Sequence, residues 1–223
     1  MSDSNAPRTS ASRPFPVFEV NGLDVWEFDF LLPSWAGFQT RRGSYDSLSR
    51  REPSDGTVTI RVKLPKWDEP PSSEQSEAFQ FLKDNEEQIA ANVLEAIWEY
   101  YGSLPERYGF DKRQTAKHFR AIRRDGFRNL IGLGTVHILN IAKDGFAYIG
   151  FEFGCVWDGE HGMGVMTHKD RVVDIGGADT SLNHLESSHV SRTRRAHTLP
   201  SANAKLSHLS GDAGSNWHSQ SGF

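Results

Sequence analysis

From Leu130 to Gly176 the chain alternates apolar and polar residues with a period of two, and reversal signals cut the run into four pieces. "LIGLGTVHILNIA" and "FAYIGFEFGCVW" flank Lys143-Asp144-Gly145, and "GMGVMT" and "RVVDIG" flank His168-Lys169-Asp170. Side chains on a strand point alternately to opposite faces, so this period predicts a sheet with one face to bury. Asp-Gly supplies the positive φ that a tight hairpin turn needs. Four strands joined in this way form an antiparallel meander, and its apolar face requires a cover before it is stable in water.

The cover is found upstream, where the period changes from two to 3.6. Pro70-Pro71 and Ser72 or Ser73 mark a helix entry, Glu74 and Glu77 supply acids for the first turns, and Leu82, Ile89, Val93, Ile97 and Tyr100 form an apolar stripe. One long helix of about seven or eight turns is predicted, ending at Gly102, with seven acids against the single Lys83. A second helical piece, "DKRQTAKHFRAIRRDGFR", sets Ala116, Phe119 and Ile122 on one side and carries seven Lys or Arg against two Asp.

The beginning of the domain reads as strands. "PVFEV" and "LDVWEFDFLL" flank Asn21-Gly22, which predicts a two-residue hairpin turn. Trp26, Phe28 and Phe30 alternate with Glu27 and Asp29, and in "GTVTIRVKLP" Val58, Ile60, Val62 and Leu64 alternate with Thr59, Arg61 and Lys63. Pairing of these two strands would set Arg61 and Lys63 against Glu27 and Asp29. The stretch between them, "TRRGSYDSLSRREPSDG", reads as a polar loop. The predicted fold class is therefore α+β: a largely antiparallel sheet of N-terminal hairpin, middle strand and C-terminal four-strand meander, with one long helix and a shorter basic helix packed on it.

Composition bounds the rest. A low apolar fraction of 37% is offset by 11% aromatics, so a core is expected only in residues 16–182. Residues 1–15 and 183–223, the latter rich in Ser and carrying five of the nine His, have little to bury and are expected to be disordered tails. A net charge of −4 argues against coating nucleic acid or an anionic membrane through the overall field. The single Cys155 fits a reducing compartment, and no apolar run approaches the roughly 18 residues of a spanning helix. The expected setting is soluble and cytoplasmic.

Chemistry-bearing residues concentrate in "CVWDGEHGMGVMTHKDRVVDIG". Cys155 falls on the same strand face as Phe151, Phe153 and Trp157, which predicts a small buried hydrophobe rather than a nucleophile. Asp158, Glu160, His161, His168 and Asp170 offer oxygens and imidazoles, but neither a Ca²⁺ loop nor His-Glu-x-x-His nor Cys-x-x-Cys spacing occurs. No metal and no cofactor is therefore called for, and no catalytic set is complete. The predicted recognition loop comprises Trp157, Asp158, Glu160, His161 and Gly162, with His168 and Arg171. His118, His137, Asp144 and Glu152 are distant groups that folding could bring to it. In residues 112–128 the basic side chains Lys112, Arg113, Lys117, Arg120 and Arg124 could contact phosphates, with Phe119 and Phe127 for stacking. Pairing with the acidic helix, or plain solvation, is the simpler role for these charges.

"YIGFEFGCVWDGEHGMGVMTHKDRVVDIGGADTS" resembles the C-terminal signature of a bacterial family of domains of unknown function, numbered 6985. The shared pattern is an aromatic strand, Trp-Asp-x-Glu-His-Gly-x-Gly-Val, then His-x-x-Arg-Val-Val and Gly-Gly-Ala-Asp. "FLKDNEEQIAANVLEAIWEYY" is similar to the family's central helix, and "VHILNIAKDGFAYIG" to the strand pair after it. The likeness spans roughly residues 17–182 and is most specific over residues 157–175. It implies domain limits and assigns no catalytic residue; related small α+β families include immunity and partner-binding proteins of bacterial conflict systems. The expected function is a non-enzymatic protein-binding module, immunity-like in kind. Hydrolysis through the loop of residues 158–162 is the alternative, and nucleic-acid binding through residues 112–128 ranks third. A protein partner is expected, with no membrane segment; the oligomeric state is left open.

Overall fold

The computed structural model describes residues 15, 19–21, 25–41, 48–64, 66, 69–119 and 122–182. Of the expected tails, 1–15 and 183–223, residues 1–14 and 183–223 lie outside the described residues, while Phe15, expected in the first tail, is buried and stacks on Phe79 at 5.0 Å. The architecture is mixed α and β around a large, mostly antiparallel sheet. In chain order the elements are β1 (Glu19–Asn21), β2 (Val25–Leu31), β3 (Gln39–Arg41), β4 (Leu48–Pro53), β5 (Thr57–Lys63), α1 (Ser73–Asp84), α2 (Glu86–Arg107) and α3 (Lys112–His118), followed by β6 (Ile131–Lys143), β7 (Phe146–Cys155), β8 (Met163–His168) and β9 (Arg171–Gly176). Seven strands form one sheet in the order β1-β2-β5-β6-β7-β8-β9, and β3 with β4 forms a separate pair.

Strands β6 to β9 pair as the expected antiparallel meander, but burial does not alternate along the first three, which are buried on both faces over most of their length. The meander's first turn has Asp144 and Gly145 at φ +49 and +79, and its last has Lys169 at φ +57. β5 and β6 are parallel, the one exception among the described strand pairs. A parallel pair cannot be joined by a hairpin, so the chain between them must cross over one face of the sheet, and α1 and α2 make that crossover. In register, Phe28, Ile60, Val136, Phe151, Val165 and Ile175 line up across six strands on the covered face. Ala78, Phe79 and Leu82 of α1 and Ile89, Ala90, Val93 and Ile97 of α2 are buried against that face. Each such large side chain removed from water contributes on the order of 1.5–3 kcal/mol. The opposite face carries the row Glu27, Arg61, His137, Gly150, Met166 and Asp174. A short 3-10 turn, Ala178–Ser181, lies directly on it. A Cβ at Gly150 would sit 1.8 Å from the Ser181 carbonyl oxygen, and one at Gly164 2.6 Å from the Ser181 amide nitrogen, so only glycine admits this crossing.

Several expectations are corrected. The long helix is two helices: Asn85, at φ −127 and ψ +21, interrupts it, and both its backbone and its side-chain amide donate to the Phe81 carbonyl, at 3.0 Å each. A short polar side chain that bonds the backbone of the preceding turn competes with helix continuation. Gly102 does not end α2, which continues through Pro105 to Arg107 because Leu104 is buried there. The basic helix stops at His118, and Ala116, expected on its apolar side, is exposed. Asn21 pairs with Val25, leaving three residues for the first connection, so a two-residue Asn21-Gly22 turn does not fit; residues 22–24 lie outside the described residues. Glu27 faces Arg61 as expected, at 2.7 Å, but Asp29 faces Thr59 and Lys63 faces Val25. The stretch read as a polar loop contains the end of β3 and all of β4.

Gln75 joins the crossover to the parallel pair. It is fully buried at the start of α1, and Ser72 caps that helix in a reciprocal capping box with it. The Gln75 side-chain amide donates to the carbonyls of Lys63 (2.6 Å) and Leu139 (3.1 Å), while its Oε1 accepts from the Ser72 amide at 2.9 Å. Gln75→Leu strands these buried groups, and chemical denaturation should show a loss of about 2–4 kcal/mol. Gln75→Glu keeps the cap but presses a carboxylate on two carbonyl oxygens, and should lose at least as much. Gln88→Ala, at an exposed site of α2, should stay within about 0.5 kcal/mol of wild type.

Candidate functional site

Residues 156–162 connect β7 to β8. The Asp158 carboxylate accepts from the His161 amide at 3.1 Å and lies 3.1 Å from His161 Nδ1, while its carbonyl accepts from the Gly162 amide at 2.9 Å. Gly162 takes φ +66, and a Cβ there would lie 2.6 Å from the Phe153 carbonyl oxygen. The loop is thus a turn closed by its own polar groups, an Asx-type arrangement. Glu160 and His161 are exposed. Cys155 ends β7 with its thiol wholly buried and donating to the Asp158 carbonyl at 3.6 Å. Burial pushes the Cys155 pKa from 9.0 up to about 12, so the thiolate needed by a nucleophile does not form near neutral pH.

The seven residues expected to act together occupy two places. Trp157, Asp158, Glu160, His161 and Gly162 lie at one end of β8; His168 and Arg171 face each other at the other end. There the His168 ring lies 4.9 Å from Tyr148, with Nε2 2.8 Å from the Lys143 carbonyl. Among the distant groups, His137 and Glu152 meet each other across β6 and β7 at 2.7 Å, with His137 6% exposed. Asp144 lies in the turn at the end of β7 remote from the loop. His118 ends α3. Among the described residues no three His, Cys, Asp or Glu side chains gather as metal ligands.

Trp157 leaves the strand instead of continuing its buried face. It is half-buried in a bend and reaches the end of α2, 5.1 Å from Tyr101 and 6.4 Å from Phe127. Tyr101 in turn meets Phe119 (5.6 Å) and Phe127 (5.4 Å), and Phe119 meets Tyr108 (6.2 Å) and Phe110 (6.0 Å). The outcome is one continuous aromatic surface drawn from α2, the end of α3, the 3-10 turn Arg124–Asn129 and the loop after β7. Phe127 is its buried base, and Tyr108, 41% exposed, is its outermost ring. Burial raises the hydroxyl pKa of Tyr100, Tyr101 and Tyr108 above the ordinary value. Arg107 lies over Tyr100 at 4.8 Å; Arg124 lies over Trp98 at 5.6 Å and holds Glu95 through two contacts of 2.5 and 2.7 Å. One cation of the basic stretch therefore pairs with the acidic helix. Lys112, Arg113 and Lys117 remain exposed on α3 and make no ion pair among the described residues, and Arg120 lies outside them.

Periodicity does not reveal this surface, because Tyr108 and Phe110 flank Gly109 (φ +65) between two helices. The available signal was density, with five aromatics in the thirteen residues 98–110.

A family model described as a domain of unknown function (DUF6985) matches residues 27–182. The chain belongs to this family. No curated protein matches it, and neither does any solved structure. The DUF6985 match opens within β2 and closes at the end of the 3-10 turn after β9, so it contains the aromatic surface entirely. No helix among the described residues is long and apolar enough to cross a membrane.

The state of Cys155 generates a pH test. A thiol whose folded pKa is raised stabilises the fold fully below its unfolded pKa, and that contribution is lost as pH rises from about 9 toward 12. In Cys155→Ala the alkaline fall in stability should become shallower by up to about 1.4 kcal/mol per pH unit. Urea titrations at stepped alkaline pH measure it, and iodoacetamide should label wild type only after denaturation.

Proposed function

We propose that this DUF6985 domain is a non-enzymatic protein-binding module, immunity-like in kind, that takes its partner on the aromatic surface at the end of α2. The observation that supports this is the half-exposed ring cluster of Trp157, Tyr101, Tyr108, Phe110 and Phe119, with Arg107 beside it. Tyr, Trp and Arg are the residue types in which interface hot spots concentrate, because large rigid rings bury much area at little entropic cost. The rings also join the loop of residues 156–162 and the basic α3 in one surface, so a single partner could touch both.

Hydrolysis has one observation in its favour, the 3.1 Å contact between Asp158 and His161 Nδ1, which would orient an imidazole as a base. That pair lies exposed on a turn, where water competes for the proton, and the adjacent thiol is buried and protonated. Nucleic-acid binding needed Phe119 and Phe127 as stacking faces, but Phe127 is 4% exposed beneath Trp98 and Tyr101.

Tyr108→Ala removes the outermost ring with little effect on the core. In quantitative capture of binding proteins from the source cells, it should weaken retention of the specific partner roughly tenfold or more, as truncation of an interface anchor does. Arg61→Ala, on the opposite sheet face, should leave retention unchanged. Equal retention by wild type and a folded Tyr108→Ala protein would count against the aromatic surface, and an ester- or peptide-cleaving activity lost in His161→Ala would favour hydrolysis.

A further inference from the structure

We infer that the partner is held through an acidic segment, carboxylates interleaved with apolar residues, that lies along α3 and over Tyr108. This rests on the protein-binding function proposed above and adds the chemistry of the ligand.

Asp111 caps α3, but the charges that follow it along the helix are all positive. Lys112 and Arg113 occupy the first turn, where the helix dipole favours acids, and that turn contains none. Arg113 and Lys117 are four residues apart, a spacing at which like charges on a helix repel. Arg124 has Glu95, Arg123 lies 4.0 Å from Asp125, and Arg61 has Glu27. Lys112, Arg113 and Lys117 have no such partner among the described residues, in a chain whose net charge is −4. A local positive field of this kind is complementary to an anion supplied from outside.

The second observation gives that anion its class. α3 is bracketed by Phe110 and Phe119, and both rings contact Tyr108 (5.6 and 6.2 Å). Cations and exposed ring therefore form one strip, and a ligand that satisfies both must alternate negative and apolar groups. A peptide segment does this with Asp or Glu and a large apolar side chain. Nucleic acid suits the strip less well, because base stacking needs open ring faces. The inner rings instead meet one another edge-on, Tyr101 to Phe127 at 83° and Trp98 to Phe127 at 65°.

The test uses the full chain and three fluorescent probes: a short peptide alternating Glu or Asp with Leu and Phe, the same peptide with Gln and Asn for its acids, and a single-stranded oligo-dT. The acidic peptide should bind saturably at low salt. Binding should weaken about tenfold or more at physiological salt, in the Gln/Asn peptide, and in a Lys112→Glu, Arg113→Glu, Lys117→Glu variant. A Lys112→Gln, Arg113→Gln, Lys117→Gln variant should fall between. These positions are exposed, so circular dichroism should report an unchanged fold. Equal affinity for the acidic and neutral peptides, equal affinity of wild type and the triple Glu variant, or tighter binding of oligo-dT would each overturn the inference. If the acidic peptide fails while Tyr108→Ala still releases the captured partner, the acidic ligand is wrong and the binding module stands; if Tyr108→Ala also retains its partner, both fall.

Discussion

The parallel contact between β5 and β6 is the constraint from which the rest of the molecule follows. It joins two antiparallel groups, β1-β2-β5 and β6 to β9, edge to edge, and no short turn can make such a join. The intervening chain must leave the end of β5, cross one face, and return to the start of β6. Gln75 holds the departure point, because its single amide satisfies a carbonyl from each strand, Lys63 and Leu139, and caps α1 as well. The apolar face of the sheet is covered by the same residues that make the crossover, so core formation and topology depend on one segment.

That path also determines where the surface features lie. Buried residues from Ile89 to Leu104 hold α2 to the sheet, and its last turns extend to the end of β7 where Trp157 leaves the strand. The chain has still to reach β6, and it does so through α3 and the turn of residues 124–129, both short and rich in rings. Aromatic side chains there do two things at once. Phe127 and the inner edges of Tyr101 and Trp157 close the end of the core, while Tyr108 and the outer edges of Phe110 and Phe119 stay toward solvent. The opposite sheet face has a different design, with Gly150 and Gly164 admitting the main chain of residues 177–181.

The parts legible in the sequence were those whose signal is local. Asp144-Gly145 and the alternation on either side specify a hairpin whatever else the chain does, and Val58, Ile60, Val62 and Leu64 bury as their period requires. The parallel pairing was not legible, since Ile60 and Val136 carry no mark that they will be neighbours. Asn85 shows the limit of periodicity: the apolar stripe runs through it unbroken, and only its side-chain bond to Phe81 reveals the interruption. The ladder of β2 and β5 shows the limit of charge matching, because Glu27 with Arg61 was readable but the register set Asp29 against Thr59. For the candidate site, Trp157 is legible as part of the loop, but its place against Tyr101 and Phe127 is not. Tyr101, Tyr108 and Phe110 carry no local mark of the site, because they join it only through the tertiary path of the crossover.

The charges of α2 and α3 follow from the same geometry. An acidic helix followed closely by a basic one would ordinarily neutralise it, and Arg124 does reach Glu95. Gly109, at φ +65, breaks the helical path before α3 begins, and α3 is then held by Phe119 against Tyr101, Tyr108 and Phe110 rather than by ion pairs with α2. Ring packing is worth more than an exposed salt bridge, roughly 0.5–1.5 kcal/mol per aromatic pair beyond burial against about 0–1 for the bridge. The rings therefore decide where α3 sits, and Lys112, Arg113 and Lys117 are left facing water beside Tyr108, the most exposed Phe, Tyr or Trp ring among the described residues.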